Sequence, residues 1–249
     1  MRLLDKVAVI TGGSRGIGRA VALAFAREGA RVAVVGAHDT AALAHVADEI
    51  TALSKDALAL TADVAQRAQV ERMVQQVVER WGRLDILVNN AGIIHPTRLE
   101  EIGDAQWQET LAVHLTGTFQ CIQAVLPIMK TQGGGKIINV AAPSALRGSF
   151  GVADYAAAKG GIIALTRNAA SELKAYNIQV NCISPVAETR MTEALFAFRR
   201  QHLNEPVATF GNAKFVEPEA VAPAFVFFAC ADADYISGQV LAVDGGLTA

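Results

Sequence analysis

The sequence of 249 residues is poor in charge and in cysteine. Only 18% of the residues are charged, and 22 basic against 24 acidic side chains leave a formal net charge of −2. Recognition of nucleic-acid phosphates needs a basic surface, so this balance argues against a nucleic-acid partner. The three cysteines, Cys121, Cys182 and Cys230, are widely separated and lack CxxC spacing. They support neither a disulfide framework nor a zinc site, and we expect no bound metal.

Long apolar runs, linkers and internal repeats are also missing from the sequence. No stretch approaches about 18 uninterrupted apolar residues, which is the length that a membrane span needs. Asp5 and Lys6 interrupt the apolar start of the chain, which does not have the layout of a signal peptide. We therefore expect a cytoplasmic protein without a membrane span, folded as one domain over residues 1–249 with a sizeable core.

Short apolar runs without polar alternation recur along the chain, as is typical of strands buried on both faces. The predicted strands are Val7–Thr11, Arg31–Val35, Ala57–Thr61, Ile86–Asn89, Lys136–Val140, Gln179–Ile183 and Val240–Val243. Segments with helical spacing lie between them, namely Gly18–Glu28, Thr40–Ser54, Val70–Trp81, Trp107–Thr131, Tyr155–Tyr176 and Ala220–Ala229. This alternation predicts an α/β fold with a doubly wound parallel β-sheet and helices on both faces.

The least regular part of the sequence runs from about residue 187 to residue 217. It is rich in Phe and Arg and has no clear strand boundaries. Long excursions of this kind in an α/β sheet often cover a ligand, so we predict a substrate lid here.

A glycine-rich segment, Thr11–Gly18, directly follows the first predicted strand and opens the first predicted helix. Gly12 permits a tight turn, Gly16 lets the backbone approach a phosphate, and Gly18 allows close packing of the helix. This context is typical of a dinucleotide-binding loop.

The order and spacing of several motifs over nearly the whole chain resemble the short-chain dehydrogenase/reductase family. The matched motifs are TGxxxGxG at Thr11–Gly18, NNAG at Asn89–Gly92 and YxxxK at Tyr155–Lys159. Asp63 and Val64 resemble the family's adenine-contacting pair, and residues 183–185 resemble the segment beside the nicotinamide. The resemblance implies a Rossmann-like fold and an NAD(P)-dependent oxidoreductase that interconverts a secondary alcohol and a ketone.

The resemblance also implies which residues bind the cofactor and how the protein assembles. The expected cofactor-binding residues are Gly12, Ser14, Arg15, Gly16, Ile17, Gly18, Gly36, Ala37, His38, Asp63, Val64, Asn90, Ala91, Gly92, Tyr155, Lys159, Pro185, Val186 and Thr189. A homotetramer is expected, built through the two long predicted helices and the C-terminal segment. Apolar residues such as Ile162, Ile163 and Leu165 are expected on its outer helix faces.

Tyr155 and Lys159 have a physical interpretation of their own. Their spacing of four residues places both side chains on one face of a helix. A lysine ammonium beside a phenol lowers the pKa of the phenol, so Tyr155 is expected to act as general acid or base near neutral pH. The cofactor would carry the hydride.

Three positions depart from the family pattern. Ala142 stands where the family has its substrate-polarising serine, His114 stands in place of an asparagine, and Val186 replaces a glycine. Ser144 is either a substitute hydroxyl or a plain loop serine, and His114 is either a proton relay that titrates near neutrality or a buried structural residue. The departures leave open a re-tuned reductase or a catalytically impaired homologue that acts as a dinucleotide-binding regulatory or scaffold protein. Losing one oxyanion donor typically costs only about a hundredfold to a thousandfold in rate, which favours an enzyme.

The residues at the end of the second predicted strand determine whether NAD or NADP is preferred. Gly36 occupies the position where a carboxylate would bind the ribose hydroxyls of NAD, while Arg15 and His38 can hold a 2′-phosphate. NADP(H) is therefore favoured, although a loop shift that brought Asp39 to the ribose would restore a preference for NAD(H). The substrate is expected to be a small alcohol or ketone. Arginines in the lid leave open an anionic or aromatic one.

Overall fold

The computed structural model describes residues 1–53, 56–203 and 215–249. Its centre is a seven-stranded parallel sheet with the order β3-β2-β1-β4-β5-β6-β7. The strands are β1 Val7–Thr11, β2 Arg31–Gly36, β3 Ala57–Thr61, β4 Ile86–Asn89, β5 Gly135–Val140, β6 Ile178–Pro185 and β7 Val240–Val243. The strand order reverses between β1 and β4, and ligands bind doubly wound sheets at such a switch point. The predicted Rossmann-like α/β fold is confirmed.

The helices connect the strands and cover both faces of the sheet. They are α1 Gly16–Arg27, α2 Thr40–Ala52, α3 Arg67–Trp81, α4 Asp104–Leu111, α5 Gly117–Gln132, α6 Ser144–Arg147, α7 Ala153–Leu173, α8 Arg190–Leu203 and α9 Ala222–Ala229. Helices α1, α2 and α9 pack with Ile10, Val34 and Ile138 in one core cluster. Helices α3, α5 and α7 pack on the other face with Val9 and Val35. Alternate strand residues therefore feed opposite cores, which explains why the strand sequences are continuously apolar.

Helix ends differ from the predicted ones by a few residues, for local reasons. Helix α7 begins at Ala153 and continues after Leu173 as a 3₁₀ turn, which ends where Asn177 adopts a left-handed conformation with a φ of 55°. Gly133 ends α5 in the same way, with a φ of 78°. Helix α2 ends at Ala52, and Ser54 of the predicted helix lies outside the described residues.

The expected irregular lid is partly helical, so that description was wrong. Helix α8 occupies residues 190–203, while residues 204–214 of the expected lid lie outside the part of the chain that the structure describes. Phe198 of α8 stacks on Phe150, with ring centroids 5.9 Å apart, and Arg199 donates a hydrogen bond to the Ser149 hydroxyl at 2.8 Å. These contacts fasten the helix to the loop that precedes α7.

The predicted helix Trp107–Thr131 is interrupted by a π-helical turn at Ala112–Thr116, which separates α4 from α5. Over the described residues this continuous segment, Asp104–Gln132, is the one helix long and apolar enough to cross a membrane by length and composition. Core helices pass the same criterion, so it is weak evidence for a span. The expected outer faces of α7 need a correction, because Ile162 and Ile163 are buried within the chain's own core beside Ala141 and Cys182. Leu165 is partly buried against the second core cluster.

Candidate active site

The glycine-rich loop joins β1 to α1 in the conformation that its residues predict. Gly12 has a φ of +67° and Gly16 a φ of +53°, values that residues with a side chain rarely adopt. A Cβ atom at Gly18 would overlap the carbonyl oxygen of Gly12, so the helix packs directly on the loop. Ser14, Arg15 and Ile17 complete this loop and the start of α1.

The first turn of α1 has the properties of an anion site. Arg15 at its N-cap makes no side-chain capping bond, and among the described residues of the first turn none is acidic. The first N–H groups of a helix have no intrahelical acceptor, and the helix dipole favours negative charge there. The loop and the helix start therefore fit the pyrophosphate of a dinucleotide.

Asn90 and Thr11 hold the loop against the end of β4. The Thr11 hydroxyl accepts hydrogen bonds from the backbone N–H groups of Asn90 and Ala91, both at 3.0 Å. The Asn90 amide donates to the carbonyl oxygens of Thr11 and Gly12, at 2.9 and 3.1 Å. The first asparagine of the NNAG motif, Asn89, is bonded instead to Asn139 of β5. In this structure Asn90 thus supports the loop.

The residues expected around the adenosine lie at the ends of β2 and β3. Gly36 ends β2, Ala37 and exposed His38 follow it, and Asp63 and Val64 follow β3. The Asp63 carboxylate accepts a hydrogen bond from the backbone of Ala65 at 2.9 Å.

Asp39 has two partners in this region. Its carboxylate caps α2 by accepting from the backbone N–H of Ala42 at 3.1 Å and pairs with the Arg15 guanidinium at 3.0 Å. Both side chains of the ion pair are nearly half exposed. The Asp39 carboxylate is therefore already bonded on two sides, to the N-terminus of α2 and to Arg15 of the glycine loop.

Tyr155 and Lys159 lie on one face of α7, as their spacing predicts. The Lys159 ammonium is 5.5 Å from the centroid of the Tyr155 ring and donates a hydrogen bond to the Val140 carbonyl oxygen at 2.6 Å. Burial lowers the pKa of Lys159 to about 8. Burial also raises the pKa of Tyr155, whereas the sequence predicted that the lysine would lower it. Burial disfavours the charged form of each group, so it raises the pKa of the phenol and lowers the pKa of the ammonium.

Ser144 and Ala142 lie where the chain leaves β5. Ala142 is buried, and Pro143 then turns the chain into the short helix α6, whose first residue is Ser144. Its hydroxyl oxygen is buried and has no hydrogen-bond partner within the described residues. An unpaired buried hydroxyl is costly, which is a common sign of a functional site. Ser144 lines the same cavity as Tyr155.

His114 is buried in the π-helical turn, next to the Tyr155 ring. The two rings meet edge to face with centroids 5.0 Å apart. The His114 Nε2 atom lies 2.7 Å from the carbonyl oxygen of Ile93 and 3.1 Å from its backbone nitrogen. Burial, with a smaller effect of the Lys159 charge, lowers the pKa of His114 to about 3. The expectation that His114 titrates near neutrality is therefore wrong, since the buried ring stays neutral.

Gly92 makes room for the His114 ring. A Cβ atom at this position would overlap Cε1 of the imidazole. Within the described structure the Nδ1 atom of the same ring is buried and has no hydrogen-bond partner.

The remaining predicted residues lie where β6 ends. The backbone N–H of Val186 donates to the Val243 carbonyl oxygen at 3.0 Å, which fixes Pro185 and Val186 beside β7. Thr189 faces the glycine loop, since a Cβ atom at Gly16 would lie 3.5 Å from its methyl group. The segment between β6 and α8 therefore passes close to the loop.

A cavity of about 630 Å³, counted with its open mouth, is adjacent to Tyr155 and Ser144. Its lining is mostly apolar and comes from the loop after β4, the segment before α7, the end of β6 and helix α8. Residues that sequence reasoning missed include Ile94, Val152, Met191, Thr192, Leu195 and Leu247. They come from distant parts of the chain and share no motif, so only the fold brings them together. Sequence reasoning also missed buried Asp154, beside Tyr155.

Comparison with known proteins identifies the class of enzyme. The family model for the short chain dehydrogenase matches residues 6–200, and the chain belongs to this family. It is accordingly an NAD(P)-dependent oxidoreductase.

Individual relatives match almost the whole chain. A 3-oxoacyl-[acyl-carrier-protein] reductase of Thermotoga maritima is 38% identical, with 99% of each chain covered. The enzyme of the same name from Synechocystis sp. is 39% identical over 98% of each chain. The crystal structure of levodione reductase superimposes with a TM-score of 0.93 at 33% identity and covers 99% of both chains.

Proposed function

We propose that the protein is an NADP(H)-preferring reductase that interconverts a ketone and a secondary alcohol. The observation that carries this proposal is that Tyr155, beside Lys159, lines the same apolar cavity as Ser144, whose buried hydroxyl has no hydrogen-bond partner within the described part of the chain. Similar proteins are named as reductases of oxo compounds, which supports the same kind of substrate here. The proposed reaction needs one proton at the substrate oxygen and one hydride at the carbon.

In the proposed mechanism Tyr155 supplies the proton. Its raised pKa keeps the phenol protonated at neutral pH, so it can donate to the carbonyl oxygen during reduction. Lys159, still charged below its pKa of about 8, stabilises the phenolate that results. A bound nicotinamide supplies the hydride chemistry. Alcohol oxidation uses the same groups in reverse.

Ser144 is proposed to take over the task of the serine that Ala142 replaces. Its buried hydroxyl can donate a hydrogen bond to the substrate oxygen and stabilise the charge that develops there. His114 is proposed to support Tyr155 from behind. Its neutral ring meets the Tyr155 ring edge to face. The Nδ1 atom, which has no hydrogen-bond partner among the described residues, offers a relay position without a change of net charge.

The preference for NADP(H) is proposed from the surroundings of Gly36. This residue places no carboxylate at the ribose position, and Arg15 lies at the start of α1 with its side chain nearly half exposed. Asp39 already caps α2 and pairs with Arg15, so it is poorly placed to accept the ribose hydroxyls of NAD. Arg15 can hold a 2′-phosphate through charge-assisted hydrogen bonds, with His38 nearby.

The cavity favours a small, mainly apolar ketone. Ile94, Val152 and Leu195 are among its apolar lining residues. Arg147 also lines the cavity, but its guanidinium donates to the Leu247 carbonyl oxygen at 3.1 Å. Helix α8 is proposed as the lid of a single catalytic domain. A homotetramer in the cytoplasm, without a nucleic-acid partner, remains our expectation for the assembly.

The test is NADPH oxidation by the purified protein with a panel of cyclic and open-chain ketones of increasing size. We expect turnover with apolar ketones, and much weaker turnover when NADH replaces NADPH. Matched ketones that carry a carboxylate test the influence of Arg147. Tight NADPH binding without turnover of any ketone would favour a non-catalytic dinucleotide-binding protein and contradict the proposal.

A further inference from the structure

The carboxylate of Asp154, the residue before Tyr155, is buried with 2% of the residue exposed. Its Oδ1 atom accepts a hydrogen bond from the backbone N–H of Tyr155 at 2.8 Å. Its Oδ2 atom accepts from the Gln106 amide at 3.0 Å and from the Thr110 hydroxyl at 2.8 Å. These three donors are neutral. The position of Asp154 in the first turn of α7 adds the favourable field of the helix N-terminus.

Gln106 extends these contacts to the loop that follows β4. Its amide nitrogen also donates to the His95 carbonyl oxygen at 3.0 Å, and its amide oxygen accepts from the Thr97 hydroxyl at 3.1 Å. The backbone N–H of Thr97 in turn donates to the Gly151 carbonyl oxygen at 2.9 Å. The network therefore joins α4, the loop after β4 and the segment that leads into α7.

Two of the segments that this network joins form walls of the cavity. Ile94 lies on the loop after β4 and Val152 on the segment before α7, and both line the cavity that Tyr155 faces. Thr110 and Gln106 lie on α4, just before the π-helical turn that contains His114. Asp154 thus connects the first turn of α7, which carries Tyr155, to two walls of the cavity. Through Thr110 and Gln106 it is also bonded to α4, which leads into the turn that contains His114.

We infer that Asp154 is a positioning residue that fixes the Tyr155 hydroxyl relative to a ketone bound in the cavity. The network consists of directed hydrogen bonds to the backbone of Tyr155 and, through Gln106, to the backbone at His95. A displacement of reacting groups by about 1 Å can cost about a hundredfold in rate. The gain from precise positioning can therefore offset the cost of burying the Asp154 carboxylate. The inference rests on the proposed role of Tyr155 as the proton donor.

The carboxylate has a chemical advantage over an amide at this position. Both oxygens accept, and they face donors on two sides, Tyr155 on one and the pair from α4 on the other. An asparagine has one acceptor oxygen, so its NH₂ group would face a donor on the other side. Asp154→Asn should therefore keep part of the network and Asp154→Ala none.

The test compares Asp154→Ala, Asp154→Asn and Thr110→Val with the parent enzyme, using NADPH and a ketone that the parent reduces. We expect kcat to fall about tenfold to a hundredfold in Asp154→Ala, less in Asp154→Asn, and a few-fold in Thr110→Val. The kcat values are normalised to the concentration of NADPH-binding sites, so that a smaller fraction of folded protein does not lower them. The Kd of NADPH should stay within twofold of the parent value.

Gln132→Ala is the matched control for a purely structural effect. Gln132 bonds the backbone of Leu84 through both of its amide atoms, at the sheet edge opposite the candidate site. Its loss should lower the melting temperature and leave kcat per binding site unchanged. If Asp154→Ala and Asp154→Asn also keep the parental kcat, the inference is wrong. Should Asp154→Ala not fold, parental kcat in both Asp154→Asn and Thr110→Val overturns it.

Tyr155→Phe, measured in parallel, separates this inference from the proposed function. Retained turnover in Tyr155→Phe would overturn the role of the tyrosine itself. An inactive Tyr155→Phe beside fully active Asp154 variants would overturn only the inference.

Discussion

At the scale of single residues, the departures at positions 142 and 114 have different structural outcomes. Ser144, two residues beyond Ala142, lines the same cavity as Tyr155, and its buried hydroxyl has no hydrogen-bond partner among the residues that the structure describes. His114 instead bonds the backbone of Ile93 and contacts the back of the Tyr155 ring. The spacing of Tyr155 and Lys159 could be predicted because it follows from helix geometry. The pKa of His114 could not, since it depends on burial that the π-helical turn and Gly92 create together.

Ser144→Ala should lower kcat for ketone reduction by about a hundredfold to a thousandfold, as expected for the loss of one oxyanion donor. Binding of NADPH should be unaffected. Ser237→Ala serves as the control, because it removes a hydroxyl that accepts a hydrogen bond from Val180, away from the cavity. Ala142→Ser addresses the alternative of a decayed site. We expect a gain of less than about tenfold from that change, and a much larger gain would contradict the role of Ser144.

The pH dependence of reduction should report Lys159 and not His114. Burial disfavours the charged lysine, so Lys159 loses its proton at a pH of about 8, and kcat should fall above that value. His114, with a pKa of about 3, is neutral throughout the range from weakly acidic to alkaline pH. The rate profile should therefore be flat near pH 6.5, in the parent and in His114→Asn alike. A step near pH 6.5 that vanishes in His114→Asn would show that the histidine titrates in the working range.

At the scale of elements, the strands were easier to predict than the segment over the cavity. Each strand is a short apolar run whose pattern follows from burial on both faces, and all seven predicted strands lie within two residues of the observed ends. Helix α8 was missed because its packing depends on contacts outside the helix, such as the stacking of Phe198 on Phe150 and the lining of the cavity by Met191 and Leu195. These contacts are a property of the tertiary structure.

The packing of α8 on the loop before α7 should control substrate affinity. Gly151 has a φ of +80°, and a Cβ atom there would lie 2.5 Å from the ring of Phe198. Gly151→Ala should displace α8 and raise KM for the ketone several-fold, while the Kd of NADPH changes little.

The control for this prediction is Gly82→Ala. Gly82 has a similar φ of +72°, and a Cβ atom there would meet nothing within 4 Å. Its replacement should cost about 1–2 kcal/mol of stability through backbone strain, with KM unchanged. An equal KM in the parent and in Gly151→Ala would mean that α8 does not shape the substrate site.

At the scale of the whole molecule, the sheet assembles a site from segments that are far apart in sequence. Parallel strands end at the same edge, so the glycine loop after β1, Asn90 after β4 and Ser144 after β5 lie close together. This convergence could be predicted from the order of elements alone. The cavity wall and the network of Asp154 could not, because they depend on how loops of different length fold back over that edge. Ile162 and Ile163, expected on the outside of α7, are instead buried beside Ala141 and Cys182.

Because the net charge of the molecule is close to zero, the phosphates of a dinucleotide must be recognised by individual groups at the site and not by the overall charge. Arg15→Ala should raise the Kd of NADPH about tenfold or more, since a hydrogen bond to a charged group is worth about 1.5–3 kcal/mol. The Kd of NADH should change little, because it lacks the 2′-phosphate. Arg27→Ala, which removes an exposed charge from the other end of α1, is the control. Equal losses for NADPH and NADH in Arg15→Ala would contradict the proposed selectivity.

The central claim is that Tyr155 gives the proton to the ketone while other groups hold the cofactor. The most direct measurement is Tyr155→Phe, titrated with NADPH by fluorescence and assayed for ketone reduction in the same preparation. We predict a Kd for NADPH close to that of the parent together with loss of turnover, because the substitution removes only the hydroxyl. Turnover near the parental rate, with a ketone that the parent reduces, would contradict it.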